Sequence, residues 1–576
     1  MVRYVLGLNC AYHESSCALI KDGELVTAVE EERFNRIRHA KPANIDNPYV
    51  IPVNSVRYCL ESENLKPNDI YRIGFSLNPT KRARNRHIKD ITIKGGWGTL
   101  DGETTYTRLI NSVPLVLSAL LATDVTKRFV WLPHHICHAA SAYFVSGFDD
   151  SAVMSVDGIG EIDTTFLSIG RKNKLTQLPG SMQYPNSLGF FWEKFSKYLG
   201  FSEYDASKVM GLAAYGDRNV FFKKMLTLIR YRSDGSFKVN NELLRFRVED
   251  YRPLEKLFGP RRLHGEEITD SHKNVAAALQ AVTEDILLNM VKHLGEVSNS
   301  KNLSIAGGVM LNCVANGLIL DSGYFDNYYI QPASNDAGTS VGAAYYIWNH
   351  VLGNENRTTM KDAYTGPSYT DSAIIDALKM QNLKYRESKN IEKETARLIS
   401  EGKVVAWFQG KMEFGPRALG NRSILADPRR KDMRDILNRT IKHREYFRPL
   451  GPSILTEDAE EWFEIKKRQS PSDFMLVTYK AKENKKNLIP AVVHEDGTSR
   501  IHTVNKSNYK YHKLIVEFKK LTKVPVLLNT SYNDSEPIVC SPKDAIDTFM
   551  KSKIDVLVMH DYIVERRGQE YAKKDI

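Results

Sequence analysis

The chain has 576 residues and a mass of 65.5 kDa, too long for one compact core, so two or more domains are expected. Hydrophobic residues make up 42% and charged residues 26% of the sequence, a balance that excludes a disordered chain and is typical of a globular protein. The net charge of +11 permits nucleic-acid binding, but no nucleic-acid-binding motif is recognisable, so no nucleic-acid partner is expected.

Membrane and redox features point to a cytoplasmic protein. The longest apolar stretch, residues 113–122, is far shorter than a bilayer span, so no membrane association is expected. The N-terminal apolar segment is interrupted at Asn9 and His13, unlike a signal peptide. The six cysteines contain no Cys-x-x-Cys pair, which predicts neither a disulfide framework nor a zinc ribbon.

The first strand–turn–hairpin unit lies at the N-terminus. Residues 2–9 are predicted as a strand that leads into a polar turn through His13. Strands at 17–21 and 24–29 follow, joined by Asp22-Gly23, which is a strong signal for a tight hairpin.

A second copy of this unit lies further along the chain. Residues 152–157 form the predicted strand, which ends at Asp157 before the glycine turn Gly158-Ile159-Gly160. Strand 164–169 then leads into a polar hairpin at 171–174. Two such copies are the plan of the actin/hexokinase-type ATPase fold, in which two related halves hold a nucleotide between their turns.

Two histidines one helical turn apart, His134 and His138, can reach one metal ion because side chains at i and i+4 share a helix face. Asp157 and, far downstream, Asp336 are candidate carboxylate ligands. Two satisfied helix histidines are the alternative, but the neighbouring carboxylates and glycine turns favour a metal beside a phosphate. A zinc protease is disfavoured because His135 replaces the glutamate of the His-Glu-x-x-His motif.

A third glycine segment precedes the domain boundary. Strand 303–306 opens into Gly307-Gly308 and Asn312, where glycine lets the backbone approach a base or ribose. The polar segment 353–371 contains Gly366-Pro367 and marks a boundary, which gives domains of residues 1–363 and 364–576. After it the pattern restarts with predicted helices at 372–380 and 391–400 and a strand at 404–408.

The C-terminal domain is rich in cations beside glycine and proline. The candidate phosphate-binding residues are Arg417, Lys442, Arg444, Arg448 and Arg500, followed by Asn529, Ser531 and Asn533. Arginine binds phosphate bidentately and lysine adds a point charge. Solvated surface charges are the alternative, but Phe414, Phe447 and Leu450 interleave with the cations and predict a partly buried pocket.

Taken together, these motifs resemble the NodU/CmcH-type O-carbamoyltransferases, a family that includes the tobramycin carbamoyltransferase. The resemblance covers nearly the whole chain and rests on residues 6–13, 134–141, 208–216, 307–312, 414–422, 442–449 and 529–533. In that family the first domain resembles ATPase-fold (ASKHA) threonylcarbamoyl-transfer enzymes. The second resembles YrdC-type domains, whose Lys-x-Arg and Ser-x-Asn signatures match Lys442-His443-Arg444 and Ser531-Tyr532-Asn533. The implied fold class is therefore α/β, with a duplicated ASKHA domain followed by a YrdC-like domain. Glu14 is a departure, because the family often has aspartate there.

The resemblance implies an ATP-dependent O-carbamoyltransferase of antibiotic or natural-product biosynthesis. Carbamoyl phosphate and ATP, with Mg²⁺, would give carbamoyl-adenylate in the C-terminal domain. The N-terminal domain would pass the carbamoyl group to a hydroxyl of a small-molecule acceptor. Of the divalent metals that suit two imidazoles and carboxylates, the resemblance favours Fe(II), with Zn or Mn as alternatives. Related proteins often dimerise, so a homodimer is one expectation.

Each candidate residue receives a role by resemblance. His13, Arg417, Lys442 and Arg448 are the expected catalytic residues, His13 as a general base or a positioning group, with a backbone-bonding turn histidine as its alternative. Carbamoyl phosphate would contact Arg417, Lys442, Arg444, Arg448, Arg500, Asn529, Ser531 and Asn533. The nucleotide would contact Gly158, Gly160, Lys208, Gly211, Gly307, Gly308 and Asn312. The metal would be held by His134, His138, Asp157 and Asp336.

Three other functions are compatible with parts of the sequence. A threonylcarbamoyl-type tRNA-modifying enzyme fits the basic charge, whereas segments 415–422 and 442–449 resemble the small-molecule enzymes more closely. A sugar kinase leaves the C-terminal cations without a task, and a nucleotide-sensing scaffold does not require so many convergent polar groups. Loops at 40–54 and 95–108 are expected to select the acceptor.

Overall fold

A computed structural model describes residues 2–84, 91–466 and 472–566. The chain divides into two compact units, the first ending at Met360 and the second beginning at Lys361. No helix within these described ranges is long and apolar enough to cross a membrane. All six cysteines are buried and unbridged.

The first unit contains two sheet arrays, one of five strands and one of six, together with a separate two-stranded pair and the helices between them. Its strands are β1 (Tyr4–Asn9), β2 (Ser16–Lys21), β3 (Glu24–Glu30), β4 (Ile70–Phe75), β5 (Phe129–Trp131), β6 (Asp150–Val156), β7 (Asp163–Arg171), β8 (Lys174–Gln177), β9 (Met182–Gln183), β10 (Ile229–Tyr231), β11 (Phe237–Val239), β12 (Asn302–Ala306) and β13 (Asn327–Ile330). Its helices are α1 (Glu32–Asn35), α2 (Val53–Glu61), α3 (Pro79–Arg84), α4 (Leu100–Ile110), α5 (Val113–Leu120), α6 (His134–Tyr143), α7 (Leu188–Tyr198), α8 (Ala206–Ala213), α9 (Arg218–Met225), α10 (Asn241–Leu244), α11 (Arg252–Phe258), α12 (Asp270–Ser298), α13 (Cys313–Ser322) and α14 (Gly338–Tyr345).

The two arrays have the same topology. The first has the order β3-β2-β1-β4-β5, with an antiparallel hairpin pair on one side of β1 and parallel β4 and β5 on the other. The second repeats it as β8-β7-β6-β12-β13, with the same strand directions, and β9 adds to β7. The predicted duplication of the actin/hexokinase-like plan is therefore confirmed.

Helices α6 and α14 link the two arrays. Helix α14 packs on β1, β2 and β4 and on α6, while α6 packs on β6, β7 and β12. Glycine permits this contact, because a Cβ on Gly342 would lie 1.7 Å from the carbonyl oxygen of Cys137. A Cβ on Gly7 of β1 would lie 1.8 Å from the carbonyl oxygen of Ser340. The backbones of the three elements thus touch directly.

We expect Gly342→Ala to lower the free energy of unfolding of the first unit by about 3 kcal/mol, because the new methyl group must push α6 away from α14. Differential scanning calorimetry would measure this as a lower melting temperature. Gly295→Ala in α12 is the matched control, since its Cβ would meet no heavy atom closer than 3.6 Å and alanine favours the helix. Equal melting temperatures of the two variants would contradict the packing described here.

The second unit is built on one eight-stranded mixed sheet of order β14-β23-β22-β15-β16-β21-β17-β20, beside the pair β18-β19. Its strands are β14 (Arg386–Glu387), β15 (Val405–Phe408), β16 (Arg422–Ala426), β17 (Gly451–Leu455), β18 (Thr478–Lys480), β19 (Thr498–Arg500), β20 (His502–Val504), β21 (Val526–Ser531), β22 (Val556–Met559) and β23 (Tyr562–Glu565). Its helices are α15 (Asp371–Met380), α16 (Ile391–Ser400), α17 (Met433–Asp435), α18 (Ala459–Trp462), α19 (Glu483–Lys486), α20 (Tyr509–Thr522) and α21 (Pro542–Lys551). This unit is α/β, as expected of a YrdC-like domain.

Local sequence explains one prediction that agrees with the structure and one that does not. The predicted helix at 391–400 begins where Asn390 caps it by accepting from the backbone N–H of Lys393. The expectation of a loop over 95–108 is wrong from Leu100 onward, because the Thr99 hydroxyl accepts from Gly102 N and starts α4 there.

Candidate active site

The four predicted metal ligands come together in the first unit. One ligand atom from each of His134, His138, Asp157 and Asp336 lies within 4.8 Å of the other three. Nε2 of His134 is 3.4 Å from Asp157 Oδ2 and 3.4 Å from Asp336 Oδ1, and Nε2 of His138 is 3.5 Å from each. His134, His138 and Asp336 are buried, and the Asp157 side chain is only 13% exposed.

Supporting hydrogen bonds orient these ligands. The Nδ1 of His134 lies 3.0 Å from the carbonyl oxygen of Ser76, which requires Nδ1 to carry the proton and leaves Nε2 facing the two carboxylates. Glu161 holds the start of α6, because its Oε1 accepts from the backbone N–H groups of His134 at 3.0 Å and Asn78 at 2.8 Å. A motif search would not find Glu161, since its partners are distant in sequence.

The site fits a divalent cation. Two buried carboxylates facing two imidazoles carry the charge and the donor atoms that such an ion needs. Neither ring nitrogen of the fully buried His138 has a hydrogen-bond partner within the described residues. Although burial alone lowers it, the Asp336 and Asp157 carboxylates hold the pKa of His134 well above its ordinary value. The donor atoms and the negative charge of the quartet therefore suit a divalent cation.

His135 lies beside the quartet and is not part of it. Burial and the neighbouring His134 lower the pKa of His135 to about 3, so this imidazole is neutral at neutral pH. Its ring contacts Gly160 instead, where a Cβ would lie 2.8 Å from His135 Nδ1.

Two of the glycine turns converge on Asp157. Its second oxygen, Oδ1, accepts from the backbone N–H of Gly308 at 2.9 Å. Gly307 has φ +97°, and a Cβ there would lie 2.1 Å from the carbonyl oxygen of Val156, so only glycine fits. Gly158 has open space around its Cβ position. Gly158 and Gly308 are thus partly exposed beside the quartet, whereas Gly307 is buried against Val156.

Other predicted nucleotide-binding residues are engaged within the protein. The backbone N–H of Gly160 donates to Asp163, and its carbonyl accepts from Tyr12 and Arg82. The Asn312 side chain caps α13 and exchanges two hydrogen bonds with Gln280. On α8, Nζ of Lys208 lies 3.2 Å from Asp205, and Gly211 is buried.

A buried arginine missed by the sequence analysis joins the turns of the two arrays. Arg82 forms a bidentate ion pair with Glu103 at 2.8 and 2.9 Å and donates to the Tyr12 hydroxyl and to the Gly160 carbonyl. Tyr12 lies in the turn after β1 and Gly160 in the turn after β6. No short sequence motif includes Arg82, and its role is recognised only from its burial and its hydrogen bonds in the structure.

In the second unit, the Lys-x-Arg and Ser-x-Asn signatures meet. Nζ of the buried Lys442 has four oxygen neighbours: the Ser531 carbonyl at 2.7 Å, the Ser531 hydroxyl at 3.2 Å, the Asn533 carbonyl at 2.9 Å and the Asn533 side chain at 2.6 Å. Burial, together with the charges of Arg444 and Arg448, lowers the pKa of Lys442 well below its ordinary value. The ammonium group is therefore fixed among repelling cations.

The charges of Arg444 and Arg448 act on Lys442, and the charge of Arg500 acts on Arg444. Burial and the charges of Arg448 and Arg500 lower the pKa of Arg444, whose Nε donates to Asn438 at 2.7 Å. Such mutual repulsion in a buried site is relieved by a bound anion. The lowered pKa values of Lys442 and Arg444 thus indicate mutual repulsion among these cations, and the phosphate-binding pocket stays a prediction.

The remaining predicted residues take different positions. Asn529 donates to the Ala418 carbonyl and the Ser453 hydroxyl, and its buried Oδ1 has no partner within the described residues. Arg417, a predicted carbamoyl phosphate ligand, is partly exposed and lies on a loop. Glu413 shapes this loop, because its Oε1 accepts from the backbone N–H groups of three following residues: Leu419, Asn421 and Arg422.

The first unit is a duplicated ATPase-type fold with four buried or nearly buried candidate metal ligands, and the second is an α/β unit that contains the buried Lys442. Residues 4–345 match the domain family described as carbamoyltransferase N-terminus, and residues 396–566 match carbamoyltransferase C-terminus. The chain belongs to the carbamoyltransferase family, of the NodU type, and is an enzyme of that class.

Three relatives illustrate the match. Protein sll1178 of Synechocystis is 34% identical, over 99% of this chain and 98% of its own. Nodulation protein NolNO of Sinorhizobium fredii is 35% identical, over 97% of this chain and 80% of its own. Nodulation protein NolO of Bradyrhizobium diazoefficiens is 38% identical, over 75% of this chain and 79% of its own.

Proposed function

We propose that this carbamoyltransferase is ATP-dependent and works through carbamoyl-adenylate. The second unit would form that intermediate from carbamoyl phosphate and ATP. The first unit would transfer its carbamoyl group to a hydroxyl of a small-molecule acceptor, either a natural product or an oligosaccharide. The observation that carries the proposal is the buried Lys442, held by Ser531 and Asn533 beside Arg444 and Arg448.

The chemistry in the second unit would have two steps. Water cleaves carbamoyl phosphate into carbamate and inorganic phosphate. A carbamate oxygen then attacks the α-phosphorus of ATP, and pyrophosphate leaves with the electron pair of the broken P–O bond. Lys442, Arg448 and Arg417 would neutralise the charge that develops on the phosphates, which is the largest contribution that fixed cations make to such reactions. Mg²⁺ would accompany ATP.

The chemistry in the first unit would be acyl transfer. The acceptor oxygen attacks the carbamoyl carbon, AMP leaves, and the hydroxyl proton passes to a base, for which His13 is the candidate. A divalent metal held by His134, His138, Asp157 and Asp336 would supply positive charge next to the nucleotide phosphate, and we propose that it is Fe(II). The nucleotide would contact the glycine turns at Gly158 and at Gly307-Gly308.

A single assay that needs no acceptor tests this proposal. We expect pyrophosphate release from ATP to depend on added carbamoyl phosphate, because the adenylate cannot form without carbamate. Release measured with the metal-loaded full chain, with and without carbamoyl phosphate, is the readout. Pyrophosphate release that does not respond to carbamoyl phosphate would overturn the adenylate step.

The proposal includes no nucleic-acid partner and no membrane partner, and it places the reaction in the cytoplasm. The tRNA-modifying alternative predicts retention of bulk tRNA on a filter in the presence of this protein, whereas a small-molecule enzyme leaves it unbound. We propose an acceptor of the same broad kind as tobramycin, a polyhydroxylated small molecule, and a homodimer as the working form.

A further inference from the structure

A carboxylate flanked by two imidazoles lies in the turn after β1, separate from the metal quartet. Glu14 Oε1 accepts from Nδ1 of His39 at 2.7 Å and lies 3.9 Å from Nδ1 of His13. The Glu14 side chain is only 12% exposed. The same carboxylate oxygen thus faces two histidines, of which only His13 has a candidate role in catalysis.

Aromatic and amide contacts fix this group. The ring of Tyr204 stacks on His39, with centroids 4.6 Å apart, and meets His13 edge-on at 5.2 Å. The Asn9 side chain donates to the carbonyl oxygens of both His13 and Glu14, at 3.2 and 3.0 Å. The two imidazoles and the carboxylate therefore have little freedom to rotate.

The backbone here is strained. Glu14 has φ 55° and His39 has φ 62°, both in the left-handed region that non-glycine residues rarely adopt. The strained segments are joined because Glu14 N–H donates to the His39 carbonyl at 2.8 Å. Strain of this kind persists where the surrounding structure enforces it, and it clusters at functional sites.

The His13 side chain is partly exposed, although its Nδ1 is buried. Nδ1 of His13 is buried and has no hydrogen-bond partner within the described residues, yet the side chain as a whole is 29% exposed. A separation of 3.9 Å is close to hydrogen-bond range, and catalytic hydrogen bonds are often longer before substrate binds.

We propose that Glu14, held by His39, is a positioning residue that keeps the proton of His13 on Nδ1 and so leaves Nε2 free to act as the base. This inference rests on the proposed transfer step. There the proton of the acceptor hydroxyl passes to Nε2 while the acceptor oxygen bonds to the carbamoyl carbon. AMP leaves with the electrons of the broken C–O bond, and the resulting imidazolium lies against the Glu14 carboxylate.

The charges around Glu14 are consistent with this role. Burial alone raises its pKa, but His39 and His13 lower it below the ordinary value, so Glu14 is anionic at neutral pH. Burial alone lowers the pKa of His39, and Glu14 raises it. The charged or titratable groups that face the pair include His13, Glu30, Glu32, Arg33, Arg38, Tyr204 and Asp336.

Histidine tautomers can be read directly in the full-length chain by ¹⁵N-histidine NMR. The His13 signals are assigned by their loss in His13→Gln. We expect neutral His13 in the unsubstituted protein to carry its proton on Nδ1, and Glu14→Gln to shift the population toward the Nε2–H tautomer and to lower the pKa of His39. Glu14→Asp keeps the carboxylate and should keep the Nδ1–H form.

An exposed histidine–carboxylate pair in the second unit serves as the control. His560 Nδ1 lies 2.7 Å from Asp371, and Asp371→Asn should leave the His13 signals unchanged. An Nε2–H tautomer of His13 in the unsubstituted protein would overturn the inference, and this measurement requires no variant other than His13→Gln to be folded. Unchanged His13 signals in folded Glu14→Gln would overturn it as well.

A kinetic readout separates this inference from the proposed function. With water as the acceptor, AMP release from supplied carbamoyl-adenylate should fall about tenfold in kcat for Glu14→Gln, with KM unchanged, and should recover in Glu14→Asp. Carbamoyl-phosphate-dependent pyrophosphate release should be unaffected. If the unsubstituted protein shows no pyrophosphate release that depends on carbamoyl phosphate, this result would count against the proposed function alone.

Discussion

Replacement of His134 by alanine is expected to release the bound metal ion and to stop carbamoyl transfer while pyrophosphate release continues. His134 Nε2 lies 3.4 Å from both carboxylates, so its loss removes one of the two imidazole donors that face both of them. We expect metal affinity to fall more than about 100-fold, beyond the loss caused by removing a supporting group. Mass spectrometry of the metal content, after anaerobic loading with Fe(II), Zn or Mn in turn, measures the effect.

Two further variants test whether a loss of metal is specific to the quartet. Asp336→Asn keeps the shape of the side chain and should also lose metal, which guards against a misfolded alanine variant. His135→Gln is the matched control, because this neighbouring buried histidine lies outside the quartet and should leave metal content unchanged. Full metal content in His134→Ala would refute the assignment of the quartet.

Lys442→Met is expected to abolish the use of carbamoyl phosphate. The substitution removes a buried ammonium group that has four oxygen neighbours, and it keeps most of the side-chain volume. Removal of one electrostatic donor from a closed site typically costs about 10²–10³-fold in rate. We therefore expect carbamoyl-phosphate-dependent pyrophosphate release to fall by at least about 100-fold, and Arg448→Ala to behave in the same way.

The same variant tests the division of labour between the two units. AMP release from supplied carbamoyl-adenylate should continue at the normal rate, because that step belongs to the first unit. Lys519→Met is the control in the second unit, since Lys519 is an exposed lysine paired with Asp458 at 2.8 Å. An equal loss of both activities in Lys442→Met would contradict separate sites for the two steps.

Local patterns were sufficient to predict the duplicated arrays and the metal quartet. Asp22-Gly23 marks the first hairpin, and the i, i+4 spacing of His134 and His138 places both rings on one face of α6. Asp157 follows a buried strand, so the strand itself carries the carboxylate to the quartet. Each of these signals is contained in a few neighbouring residues.

Contacts between distant residues could not be predicted in this way. Arg82 pairs with Glu103 and reaches Gly160, and neither partner lies in a motif that includes it. The contact between Lys442 and Ser531 was expected only from the resemblance to a family, because nothing local links positions 89 residues apart. Asn312 stays a predicted nucleotide contact, and its side chain caps α13 and bonds Gln280, contacts that no local pattern indicates because tertiary packing sets them.

The direct backbone contact of α14 with β1 and α6 has a consequence for redesign of this enzyme. Positions outside the proposed catalytic residues are not all tolerant to substitution, because Gly7 and Gly342 have no room for even a methyl group. A library aimed at a new acceptor should therefore leave both glycines fixed, and residues 40–54, which we expect to help select the acceptor, are the segment to vary. Diversity introduced at Gly342 of α14 is expected to be lost to misfolding before any change in specificity could be selected.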